Sequence, residues 1–220
     1  MKDKTIYIAI IVVLTIAVIG FAYNQWGKNI FSSKSDTDAK LKNIDSKIFK
    51  DDIQIGKSDA PVTIIEYFSY LCGYCKLFEG EVKPKIIENY IQTGRAKLIL
   101  RVFPPYELGQ AVLCANEQGK FSEYHNYLFD NSDKIQKMDD LKTFAKNIGL
   151  DESQFNQCLD SEKYKTRAED WYNQGISDFK KANIAQDKQG TPAFFINGEP
   201  IIGLVPYDDF AKIIEGKLGN

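Results

Sequence analysis

The stretch from Pro61 to Pro105 constrains the fold most, because it fits one supersecondary unit and few others. "PVTIIEYFS" (61–69) is β-branched and aromatic, the composition of a strand buried along most of its length. "KLFEGEVKPKIIENYIQTG" (76–94) reads as a helix closing at Gly94, with Pro84 expected to kink it rather than abolish it. "AKLILRVF" (96–103) is a second apolar strand, stopped by Pro104 and Pro105. Strand, helix and strand imply a right-handed crossover and a parallel pair. At the junction of the first strand and the helix lies "YLCGYC". These cysteines are a redox couple, half of a metal site, or buried filler.

Chemistry separates the three readings. A helix start presents unpaired amide donors and the positive end of the macrodipole, which stabilise a thiolate. Cys72 is then the exposed nucleophile, and Cys75, one turn inward, the resolving thiol. A zinc site needs four ligands, and Cys114 and Cys158, the other two cysteines, are far from each other in sequence. No metal is expected. Strand alternation puts Ile64, Glu66 and Phe68 on one face. A carboxylate among apolar neighbours should have a raised pKa. Six residues before Cys72, Glu66 is placed to move a proton for Cys75 through a water, unless it reaches solvent at the strand end. The single histidine, His125, lies within "FSEYHNYLF", where packing is the expected role.

From about 107 to 187 the periodicity is helical. Leu108, Ala111, Val112 and Ala115 share one face, and Leu141, Phe144, Ala145 and Ile148 another. Tyr164, Ala168, Trp171, Tyr172, Ile176 and Phe179 mark a third, longer stripe. Strands return in "TPAFFING" and "EPIIGL", joined by the hairpin signal Asn197-Gly198, and a last helix runs from Pro206 to about Leu218. The order predicts an α/β core with an all-helical domain inserted at about 107–187.

"EYFSYLCGYC" resembles the active-site strand and helix start of the DsbA-like thiol-disulfide oxidoreductases, thioredoxin-fold proteins of the bacterial cell envelope, and "GTPAFFING" resembles their proline loop. The resemblance runs from about Ile53 to the carboxyl end and implies a thioredoxin fold. It implies a cis Thr191-Pro192 bond, with Pro192 against the redox cysteines and Thr191 offering backbone groups to an extended substrate peptide. Gly73 and Tyr74 would border the substrate. The Gly73-Tyr74 pair with Thr191 is similar to the isomerase branch, whereas the short amino-terminal spacer suits a monomeric oxidase. By the same resemblance Cys114 and Cys158 form a second, structural disulfide; the alternatives are a second redox-active pair or two buried thiols. The implied activity is exchange of a Cys72-Cys75 disulfide with cysteines of exported proteins, without a cofactor. The alternatives are an isomerase or reductase of this fold, or a surface-anchored binding protein with a static disulfide. Implied partners are reduced or unfolded exported proteins and a membrane redox partner, either a quinone-linked oxidase or, for an isomerase, a reductant donor.

The remaining features place the domain. "IYIAIIVVLTIAVIGFA" (6–22) is apolar except for Thr15 and near the minimum length for crossing a bilayer. Residues 1–4 are expected to be a short cytoplasmic end, 5–26 a signal anchor or uncleaved signal sequence, and 27–52 a polar spacer below a domain at 53–220. Four paired cysteines suit an oxidising compartment, so the catalytic domain is expected on the periplasmic or extracytoplasmic side of the inner membrane. With 28 basic and 30 acidic residues interspersed, the chain has no basic block for nucleic acid.

Overall fold

The computed structural model describes residues 46–219. The expected anchor at 5–26 lies outside them, as does most of the spacer. Among the described residues no helix is long and apolar enough to cross a membrane.

Five strands form one mixed sheet: β1 (Ile53–Ile55), β2 (Val62–Phe68), β3 (Ala96–Val102), β4 (Ala193–Ile196) and β5 (Glu199–Ile202), in the order β1-β3-β2-β4-β5. β2 and β3 are parallel, with Glu66 opposite Leu100, as the crossover rule requires. β4 lies antiparallel on the other side of β2 and places Phe194 opposite Glu66. The β4–β5 hairpin turns on Asn197 and Gly198, both at positive φ (44° and 84°), which is the type I′ requirement that Asn-Gly meets at low cost. The short edge strand β1 has no counterpart in the sequence reading, because three residues are too few to display a period.

The crossover helix α1 (residues 73–91) runs past Pro84 through π-type turns at Phe78–Val82 and Ile87–Ile91. A proline has no N–H and crowds the carbonyl four residues back, and a widened turn just before it relieves both. One sheet face, carrying Ile64, Glu66, Phe68, Leu100 and Phe194, packs under α1 and the final helix α7 (Tyr207–Leu218). Phe78, Phe194 and Phe210 meet there with ring centroids 4.5 to 5.5 Å apart.

The insertion comprises α2 (Tyr106–Glu117), α3 (Phe121–Asp130), α4 (Met138–Asn147), α5 (Glu152–Asp160) and α6 (Lys165–Lys181). α6 covers the second sheet face, where Tyr67, Phe179 and Phe195 pack together. Its buried residues are Ala168, Trp171, Gly175, Asp178 and Phe179, while Ile176, which the sequence stripe includes, is 37% exposed. A hydrophobic stripe cannot register that a glycine and an aspartate face inward. Gly175 admits Phe103 to the helix surface, and Asp178 accepts hydrogen bonds from Ser46 and Tyr67.

The spacer boundary at Asp52 needs correction, since residues 46–52 belong to the fold. Phe49 is buried, the Lys47 carbonyl accepts from Arg101, and the Asp52 carboxylate accepts from Arg101 and from the Trp171 indole. Arg101 on β3 is fully buried, and an unpaired guanidinium there would be prohibitively costly, so the segment that supplies Asp52 is drawn in with it.

Candidate active site

Cys72 is the amino-terminal cap of α1, in extended conformation, and Cys75 lies inside the first turn. Both are free thiols, Cys72 half-buried and Cys75 fully buried. They are electrostatically unequal. Burial pushes the Cys72 thiol up, but hydrogen bonds at Thr191, from Cys75 and from the Tyr74 backbone outweigh it, and its pKa falls below the ordinary thiol value. Cys75 goes far the other way, because burial dominates. The pair therefore has one sulfur that ionises more readily than an ordinary thiol and one that keeps its proton.

Thr191 and Pro192 sit directly across from Cys72. The Cys72 Sγ is 3.2 Å from the Thr191 carbonyl oxygen, the Thr191–Pro192 bond is cis, and Pro192 is buried. Thr191, Leu71, Phe103 and Tyr172 line an open cleft of about 530 Å³ that contains Cys72. Gly73 is exposed, and Leu71 (51%), Tyr74 (65%) and Leu77 (44%) form an apolar rim, unusual for side chains of this size unless a partner covers them.

Glu66 is fully buried, and neither carboxyl oxygen has a hydrogen-bond partner among the described residues. The solvent-reaching alternative for it is therefore wrong: β3 and β4 flank β2 and α1 covers it, which leaves no open strand end. Its contact with charge is Lys83 Nζ, 3.8 Å from Oε2. Burial pushes its pKa up to about 8, the Lys83 ammonium only partly opposing this. No hydrogen bond joins Glu66 to Cys75, so any proton passing between them needs an intermediary.

The sequence model of the thioredoxin family matches residues 49–216. The chain belongs to the thioredoxin family. Among relatives of this thioredoxin-family chain, disulfide bond formation protein D of Bacillus subtilis is 28% identical, over 74% of this chain and 76% of that protein. A Rickettsia prowazekii protein named as a protein-disulfide oxidoreductase is 26% identical over 69% of the chain, and the chain spans only 56% of that relative's length. Of solved structures, Wolbachia pipientis alpha-DsbA1 aligns at a TM-score of 0.66 with 26% identity, covering 78% of this chain and 93% of that one. BdbD from Bacillus subtilis, in its oxidised form, aligns at 0.67 with 24% identity, covering 80% and 97%. Within the thioredoxin family the chain is DsbA-like, with a thioredoxin fold carrying a helical insertion.

The remaining cysteines of this thioredoxin-family domain, Cys114 on α2 and Cys158 on α5, are joined by a disulfide with Cα atoms 5.8 Å apart. His125 packs among aromatic rings, but it also makes polar contacts: Nδ1 lies 2.7 Å from the Tyr70 hydroxyl and Nε2 3.3 Å from Glu79 Oε2. Sequence reasoning passed over Tyr70, Glu79 and Lys83 altogether. Glu79 and Lys83, four residues apart on α1, carried a faint signal as an ion-pair spacing, but such pairs are usually solvated.

Proposed function

We propose that this chain is a membrane-tethered thiol-disulfide oxidoreductase that exchanges a Cys72–Cys75 disulfide with cysteines of exported proteins. The observation that carries the reading is the unequal thiol pair at the α1 start, facing the Thr191 carbonyl. In the oxidising direction a substrate thiolate attacks Cys72 Sγ, the Cys72–Cys75 bond breaks, and the electron pair goes to Cys75. Buried Cys75 cannot stay a thiolate, so it takes a proton from Glu66 by way of a water. A second substrate thiolate then attacks the substrate sulfur of the mixed disulfide, and Cys72 leaves as a thiolate. The substrate's two thiols end as a disulfide, and the protein's disulfide ends as two reduced sulfurs. The low Cys72 pKa makes it a good leaving group, and a stabilised reduced form makes the disulfide more oxidising.

The Thr191 carbonyl accepts from the Cys72 thiol and is released once that sulfur is bonded, which frees it for an amide of an extended substrate peptide. Gly73, Tyr74 and Pro192 shape the same contact. The membrane redox partner of this scheme is a quinone-linked oxidase, the anchor is the segment 5–26, and the domain stands on the extracytoplasmic side. Replacing Cys72 with alanine is expected to abolish both dithiol oxidation and insulin reduction, and full activity in that variant refutes the scheme.

A second reading, isomerase or reductase, is favoured by one observation, the Gly73-Tyr74 dipeptide combined with Thr191 at the proline loop. A reduction potential of about −120 mV supports the oxidase, and one of about −270 mV the reductase.

A further inference from the structure

Glu66 is fully buried and does not line the cleft at Cys72, and the charges that act on it lead elsewhere. Lys83 Nζ, 3.8 Å from Glu66 Oε2, also lies 2.6 Å from Glu79 Oε1 and 3.4 Å from His125 Nε2. The second oxygen of Glu79 meets His125 Nε2 at 3.3 Å, and the ring's Nδ1 is held by Tyr70. Glu79, Lys83 and His125 together line a cleft of about 580 Å³ between α1 and α3, with Ile87, Gln92 and Ser122. That cleft shares no lining residue with the one at Cys72.

Among the described residues the remaining surroundings of Glu66 bring no further charge to it. In register on the flanking strands are Leu100 and Phe194, and α7 contributes Phe210 and Ile214 to this layer. Besides Lys83 and Glu79, α1 brings Cys75, the β2–α1 turn brings Tyr70, and α3 brings His125 and Tyr124, both neighbours of Tyr70. Among the described residues, Lys83 and Glu79 are the charges that act on Glu66, with opposite sign. Lys83, 3.8 Å from Oε2, favours the carboxylate, while Glu79 opposes it and ties up the Lys83 ammonium.

We propose that Lys83 and Glu79, the latter anchored by His125, act as positioning residues that decide at which pH Glu66 holds its proton, and that the cleft between α1 and α3 is where solvent reaches this control. Glu66 then answers to charges on the far side of the active-site helix from the sulfur that substrate attacks. The consequence for turnover rests on the exchange reading above: the two residues set the pH range over which Cys75 finds a proton. When Glu66 has given its proton up, its O–H bond is replaced by the Cys75 S–H bond. The resulting carboxylate is held by the Lys83 ammonium until a proton returns from water.

The test is a pH titration of the Glu66 carboxyl by 13C NMR in the reduced full-length protein labelled at glutamate. Lys83→Met is expected to raise the Glu66 midpoint by about one to three pH units. Glu79→Gln is expected to lower it, because Glu66 loses a repelling charge and gains an unshared lysine. Lys83→Arg keeps the charge and is expected to leave the midpoint near the wild-type value, which separates charge from packing. Shifts of the same sign in Lys83→Met and Glu79→Gln, or none in either, overturn the inference. The pH profile of disulfide exchange is recorded for the same proteins and is expected to follow the NMR midpoints. Midpoints that move as stated under an unmoved profile uphold the control of Glu66 and overturn instead its place in the exchange.

Discussion

Replacing Glu66 with glutamine tests how the fold carries a buried acid. In the unfolded chain this carboxyl titrates near 4.5, and burial holds it to about 8 in the folded one. Between those values the folded state binds the extra proton, so stability falls as pH rises through the interval. Each pH unit is worth about 1.4 kcal/mol, so wild type loses roughly 5 kcal/mol by pH 9 and roughly 3 kcal/mol of that by pH 7. This is a large share of the ~5–15 kcal/mol that holds a typical domain together. Glu66→Gln has nothing to ionise and escapes the loss. The measurement is urea unfolding from pH 5 to 9 on the oxidised protein, where Cys72 and Cys75 do not titrate. His125, whose pKa is pushed down by burial and by Lys83, contributes the opposite slope below about pH 6.5. It is present in both proteins, so the difference between the two curves isolates Glu66. That difference is expected to widen steadily with pH and level off above 8. A difference independent of pH means that Glu66 ionises like an exposed carboxyl and refutes the reasoning.

Alkylation of the reduced protein followed by mass spectrometry is expected to modify Cys72 in preference to Cys75 and at a lower pH than an ordinary thiol, leaving Cys75 protected; equal labelling contradicts the unequal pair. Replacing both Cys114 and Cys158 with alanine opens a loop of sequence separation 44 and is expected to cost about 4 kcal/mol on the chain-entropy account, read as a lower urea midpoint with exchange at Cys72 retained. A Cβ on Gly175 would lie 2.5 Å from the Phe103 ring and 3.1 Å from that of Tyr67. Gly175→Ala is therefore expected to lose about 1–3 kcal/mol in thermal unfolding and, by displacing Phe103 from the Cys72 cleft, to slow peptide exchange more than reaction with a small dithiol.

Much of the site is local and so was legible in the chain. The position of Cys72 and Cys75 at a helix start follows from a β-branched run turning helical within a few residues, and Asn197-Gly198 announces its hairpin by the φ values it tolerates. Strand alternation placed Glu66 on the face of Ile64 and Phe68, but not its depth. Depth depends on β4, more than a hundred residues later, closing over β2. The inward faces of α6 were misread at Ile176 for a related reason. Gly175 and Asp178 are buried by partners at Phe103, Tyr67 and Ser46, none of which a helical period can register.

Short-range patterning by itself determined the crossover, the place of the thiol pair and the helical insertion, because backbone propensity and side-chain period act over a few residues; the proline loop was legible only through its resemblance to that of the DsbA-like proteins. Only tertiary structure decided that Asp52 would answer buried Arg101, and that Lys83, Glu79 and His125 would gather beside Glu66. A charge in a protein interior is stable only in the company of others, and where that company comes from is a property of the packed chain.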